Sequence, residues 1–177
     1  MLINRTHLSV LLFLGAVAQT YACGGPTTVI CYDGSNGSTP QNVSLSDIAF
    51  AAEYLRYIGQ SNAGTSKAFW TQPADFDCQE WELPTDDDGT VLPLADHNNP
   101  RSSSSVLYTD IANAIDGGQG ATAAQQAKAL IGACGTNGGQ IGVTPNTTDP
   151  AYTSASYKSS GDIPQGIIVK IVHSPSS

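Results

Sequence analysis

Basic side chains are scarce in this chain: seven lysines and arginines stand against fifteen aspartates and glutamates in 177 residues, a formal charge of −8 at pH 7. So acidic a surface repels phosphate, which argues against non-specific attachment to nucleic acid or anionic lipid. Histidine is nearly missing as well, with His97 and His173 the only two beyond the first few residues. There is no H-E-x-x-H, no C-x-x-C pair and no G-x-S-x-G turn. The usual sequence signs of a zinc site, a redox pair and a hydrolase nucleophile are therefore missing. Asp86, Asp87, Asp88 and Gly89 look like a fragment of a calcium loop, but such loops space their ligands at alternate positions, and consecutive aspartates point apart. A solvated turn is the reading that remains. No metal and no cofactor is expected.

Long apolar runs are missing too, apart from Leu8 to Val17 near the start. That run follows Arg5 and His7, is too short to span a bilayer, and is followed by small residues, which is the pattern of a secretory signal peptide. Residues 1–22 are read as this leader, with cleavage after Ala18 or Ala22, and residues 23–177 as one exported, soluble, extracellular domain. Removing the leader takes away Arg5 and no acid, which leaves six basic side chains against fifteen acidic ones. The polar end, 174–177, carries no lipid-anchor signal.

Cysteine is sparse but even in number. Cys23, Cys31, Cys78 and Cys134 all survive cleavage, and an even count in an exported chain favours two disulfides. Asn36, Asn42 and Asn146 begin N-x-S/T sequons, which mark surface loops able to carry glycans.

The chain alternates strand and helix signals. Residues 27–32 (TTVICY) are rich in β-branched and aromatic side chains and stop at Asp33-Gly34, which predicts a strand. From Ser46 to Ile58 the apolar residues Ile48, Ala51, Ala52, Leu55 and Ile58 recur at helical spacing. Around Trp81, side chains alternate with Gln79, Trp81 and Leu83 on one face and Glu80 and Glu82 on the other, the period of a strand with one wet side. A DDDG turn and a returning strand at 90–94 complete a hairpin, with Pro93 predicting an edge or a bulge. The serines at 102–105 are candidate N-caps for a helix over 105–116, and Thr122 for another over 122–133. A short strand is expected at 140–143. Residues 144–166 read as a long loop anchored by Tyr152 and Tyr157. The strongest strand is 166–173 (GIIVKIVH), predicted to lie inside the sheet. Val169→Asp should then prevent folding and Lys170→Gln should be tolerated.

The fold class that follows is α+β, an antiparallel sheet with helices packed on one face. The order of elements resembles the βαββαβ split of ferredoxin-like sandwiches. Through that resemblance, the strand after the helix pair lies antiparallel beside the first, and the second runs parallel to the first, which implies the pairs Cys23–Cys78 and Cys31–Cys134.

Two functional resemblances follow from specific residues. QEWELP at 79–84 is similar to the strand of small fungal guanyl-specific ribonucleases that bears the catalytic glutamate, and IVHS near the end is similar to their terminal histidine segment. The resemblance would make Glu80 the base, Arg101 the phosphate clamp and His173 the acid, with His97 in reserve. The leader, the cysteines, the sequons and the small size together resemble secreted effector-type proteins of filamentous fungi, many of which are α+β sandwiches similar to killer toxins. That likeness implies a non-enzymatic interaction protein acting on a host or competitor, with a protein or glycan partner outside the cell. The irregular polar stretches 97–105 and 144–166 are the expected contact segments.

Overall fold

The computed structural model describes residues 25–35, 37–73, 78–86, 89–99 and 101–175. The leader, Cys23, the sequon asparagine Asn36, Asp87 and Asp88 lie outside the described residues.

Five strands form one antiparallel sheet: β1 (Ile30–Cys31), β3 (Trp81–Glu82), β4 (Val91–His97), β6 (Gly139–Gly142) and β7 (Ile167–His173), in the spatial order β1-β6-β7-β4-β3. As expected of GIIVKIVH, β7 is the middle strand. Its odd-numbered residues Ile167, Val169 and Ile171 enter the main core, while Ile168 and Lys170 project from the other face. The first strand is antiparallel to β6, with Ile30 opposite Gln140. It lies at one edge and β3 at the other, running in the same direction, so the detailed order is not that of the ferredoxin-like split, in which the first strand is interior and a single strand separates it from the second.

β4 is an interior strand despite Pro93. Its partners are β3 on one side and β7 on the other, in full register from Val91 opposite His173 to His97 opposite Ile167. The Pro93 carbonyl accepts from Leu83 N at 3.0 Å. Carbonyl and ring nitrogen of one strand residue face the same neighbour, so the missing N–H points at the end of the short strand β3 and interrupts nothing along β7.

Helices cover one face. In α1 (Leu45–Ser61) the buried residues Ile48, Ala51, Ala52 and Leu55 repeat as the sequence predicts. Its first-turn Asp47 accepts from Thr90 N and Oγ1, at 2.9 and 2.8 Å, which fastens the helix start to the turn before β4. α2 (Tyr108–Asp116) crosses α1 closely, and a Cβ on Gly59 would meet Thr109 Cγ2 at 2.9 Å. Arg56 joins the two by donating to both carboxylate oxygens of Asp116, at 2.7 and 2.8 Å.

The helix expected over 122–133 is two short ones, α3 (Ala123–Gln126) and α4 (Leu130–Cys134). The break at Ala129, which is extended, folds α4 back so closely that a Cβ on Gly132 would overlap the Gln126 carbonyl. That fold turns Leu130 and Cys134 into the core and brings Cys134 to Cys31. The two are bridged, with Cα atoms 5.0 Å apart. Cys78 is also disulfide-bonded. Its expected partner, Cys23, falls outside the described residues.

A second, two-stranded sheet pairs β2 (Phe69–Thr71) with β5 (Ser105–Leu107). The helix expected from Ser105 therefore begins only at Tyr108. Val106 is β-branched and lies opposite Trp70, and the Ser105 and Thr71 hydroxyls meet across the pair at 2.9 Å. These cross-strand contacts prevail over the capping tendency of serine. Among the described residues, no helix is long and apolar enough to cross a membrane.

Candidate functional site

The two irregular stretches singled out in the sequence meet in space. Beyond the end of β4, the loop continuing from His97 runs beside residues 162–166. Ile163 N donates to Ser103 O at 3.0 Å, Ser105 N to Ile163 O at 3.1 Å and Asn98 N to Gly166 O at 2.9 Å. Ser103 Oγ adds a 2.6 Å bond to Asp162 Oδ1. Backbone bonds spaced along both segments make one surface of them.

The longer segment is held from behind by aromatic side chains. It contains a 3-10 turn at Pro150–Thr153 and a helix α5 at Ala155–Ser160. Tyr152 and Tyr157 are buried, as the sequence suggested, and their rings pack on Phe69 with centroids 5.5 and 4.9 Å away. The Tyr152 hydroxyl donates to Asp110 Oδ2 at 2.6 Å and accepts from Leu107 N at 2.9 Å. Burial raises the Asp110 carboxyl above the ordinary range, against the opposing pull of the Tyr152 bond. The Tyr157 hydroxyl donates to Ser105 O at 2.9 Å, and burial pushes its pKa up to about 12.

Where the segments join, a cavity of about 270 Å³ opens, lined by His97, Asn98, Asn99, Ser102, Ile163, Gln165 and Gly166. Gly166 has φ +84° and admits the His97 ring, since a Cβ there would meet Nε2 at 2.9 Å. The ring is fixed at both nitrogens. Asn99 N donates to Nδ1 at 2.8 Å, so Nδ1 is the acceptor, and the proton on Nε2 is directed to Ser104 Oγ at 2.7 Å. A serine nucleophile needs the opposite arrangement, with an imidazole nitrogen receiving the hydroxyl proton. Burial also holds the His97 pKa below its ordinary value, against the raising effect of Asp96, which favours the neutral ring.

On the sheet face turned away from the helices lies a second polar group that the sequence did not announce. Lys170 is 8% exposed, and its Nζ donates to Asp96 Oδ2 at 3.0 Å and to Glu80 Oε1. Asp96 is buried as well, its Oδ1 accepting from His97 N at 2.6 Å. Burial alone would depress the Lys170 ammonium, but its bonds to Glu80 and Asp96 more than offset this, so its pKa is raised. Tyr32 stands nearby, donating to Gln140 Oε1 at 3.4 Å, and burial raises its pKa against the lowering effect of Lys170. Lys170 is thus an internal counter-charge, and Lys170→Gln would leave Asp96 buried without it, so the pairing predicts a cost for that change in place of the tolerance expected from the sequence.

The three ribonuclease-like residues are not brought together. Glu80 is paired with Lys170. His173 lies opposite Val91, five positions along β4 from Asp96, which at the strand rise puts it roughly 17 Å from the Glu80 end. By alternation its side chain also leaves the opposite face from Lys170. Arg101 is exposed in the loop after β4. Of the sequon asparagines, Asn42 and Asn146 are exposed, and Asn146 Oδ1 accepts from the Thr148 hydroxyl at 2.6 Å.

Among the described residues, no group of three or more histidine, cysteine, aspartate or glutamate side chains is placed to hold a metal ion. No protein-family model, curated protein or solved structure matches the chain.

Proposed function

We propose that the protein is a secreted, disulfide-braced interaction protein of the effector type found in filamentous fungi, acting on a host or competitor through the joined surface of residues 97–99, 101–105 and 144–166. The observation that carries this reading is the joining itself. Two loops far apart in sequence are stitched by main-chain bonds to one end of a rigid sheet, and rigid scaffolds presenting loops are the usual way a protein displays a binding surface. The internally fixed His97 and the pairing of Glu80 with Lys170 also favour binding over catalysis.

The test applies purified protein to host tissue and to competing cells, scoring growth or tissue response, beside variants carrying Ser102→Arg and Gln165→Arg. Gln165 is exposed, so its change should alter stability by no more than about 0.5 kcal/mol; Ser102 is half-buried and accepts from Asn99 Nδ2, so its change should cost about 0.5–1.5 kcal/mol, and unfolding is measured for both. A wild-type response that both variants lose while both remain folded supports the reading. An inert wild type, or variants as potent as wild type, contradicts it. Cleavage of single-stranded RNA that Glu80→Gln abolishes would replace it with the ribonuclease reading.

A further inference from the structure

We infer that the 270 Å³ cavity at the loop junction binds a single neutral sugar unit, the terminal residue of a glycan. This deepens the proposed function and rests on it for the biological role of the surface, though not for the binding itself.

The cavity's chemistry selects the ligand. Among the described residues, no aspartate, glutamate, lysine or arginine lines it, and the His97 ring has both nitrogens engaged within the protein. An ionised ligand would find no counter-charge there, and an apolar one would meet only Ile163. What the wall does offer is amide and hydroxyl groups. Asn98 and Gln165 stand on the two different loops, and among the described residues neither side-chain amide has a hydrogen-bond partner. Each amide supplies a donor and an acceptor. Ser102 Oγ already accepts from Asn99 Nδ2 at 2.8 Å and so retains a proton to donate. A ligand matched to this wall carries no charge and presents several groups that both donate and accept within a small compass. Vicinal hydroxyls on a pyranose ring do so, and an apolar ring face can lie on Ile163.

Size restricts the ligand further. Pockets for small molecules commonly hold about 300–1,000 Å³, and this one, at about 270 Å³, lies just below that range, with room for one ring. A chain of sugars would therefore enter by its end. The walls are preorganised by Asn98 N to Gly166 O and by the bonds between 103–105 and 163, so little ordering is needed on binding.

The experiment follows backbone amide resonances of the full secreted chain, treated with a peptide N-glycosidase so that no sugar of its own competes. It is titrated with methyl glycosides of glucose, mannose, galactose and N-acetylglucosamine, and with glucuronic acid as the charged comparison. The result expected is saturable shifts confined to residues 97–99, 101–102, 163 and 165–166 for at least one neutral glycoside. Binding should weaken about tenfold in Asn98→Ala and in Gln165→Ala, the loss of one good hydrogen bond each. A short oligosaccharide ending in the same unit should bind, and the same unit capped at its far hydroxyls should not. Absence of saturable shifts with every neutral glycoside overturns the inference, as does equal binding by wild type and both alanine variants, or preference for glucuronic acid. If no sugar binds while Ser102→Arg and Gln165→Arg still abolish the response to the protein, the sugar inference alone falls. If sugar binds and those variants keep the response, the inference stands and the effector reading falls.

Discussion

Lys170 shows how one residue changes meaning between sequence and structure. In GIIVKIVH the lysine alternates with branched apolar residues, the usual sign of a wet strand face. Its partners lie 74 and 90 residues away, at Asp96 and Glu80, and no local pattern announces such a pairing. Breaking a buried pair by removing one member costs about 3–5 kcal/mol because the other charge is left unpaired. Lys170→Met should therefore lower the unfolding free energy by about that amount in denaturant titrations. Glu80, with its side chain 45% exposed, can regain water, and Glu80→Gln should cost only about 0–1 kcal/mol. Adding Asp96→Asn to Lys170→Met should recover much of the loss. Equal, small effects of Lys170→Met and Glu80→Gln would show that the network is not a buried one.

His97 supplies a second prediction at this scale. Its folded-state pKa lies below the ordinary value of about 6.5 because burial opposes the charge. The unfolded chain therefore takes up a proton more readily than the folded one as the medium is acidified. The stability His97 contributes is present above about pH 6.5 and is lost as pH falls through the folded pKa, with a slope of at most about 1.4 kcal/mol per pH unit. Unfolding measured from pH 7 to 5 should be steeper for wild type than for His97→Gln. Parallel pH dependences would contradict the fixed, neutral imidazole.

Elements were legible in proportion to their length and to the regularity of their pattern. The 17-residue helix α1 and the seven-residue strand β7 carry full periods and were read with nearly correct limits. β2 and β5 have three residues each, too few to show a period, and their pairing joins Phe69 to Leu107 across a long separation. α5 was hidden in the segment read as a loop, although its anchors Tyr152 and Tyr157 were visible as isolated aromatics in a polar stretch. Those anchors give the prediction for this scale. Tyr152→Phe removes the donor to Asp110 and the acceptor for Leu107 N, two buried partners whose loss costs about 1–3 kcal/mol. The loss should be felt first in 144–166, as faster amide exchange there than in β7. Uniform acceleration across the sheet would show that the segment is part of the global unit and not a separately anchored one.

At the scale of the whole molecule, the bridge from Cys31 to Cys134 ties the sheet edge to α4 across 103 residues. The chain-entropy model assigns such a closure about 4–5 kcal/mol, with native strain reducing it. The double change Cys31→Ala, Cys134→Ala should lower stability by up to that figure in non-reducing melts, and an unchanged melt would mean that the bridge does not brace the fold. The candidate surface was legible only as two separate irregular stretches. That they form one site depends on Ser103 and Asp162, 59 residues apart, meeting at the end of β4, which is a property of the sheet order and not of either stretch.

The most direct test locates the contact itself. Hydroxyl-radical footprinting compares the protein alone with the protein mixed with cell-surface material of the proposed host or competitor. Protection is predicted at residues 98–99, 101–103 and 162–166, with the exposed aromatics Phe50 and Tyr57 of α1 unchanged. Protection of Phe50 and Tyr57 with 98–99, 101–103 and 162–166 left as reactive as before would place the interaction on the helical face and contradict the loop-surface assignment.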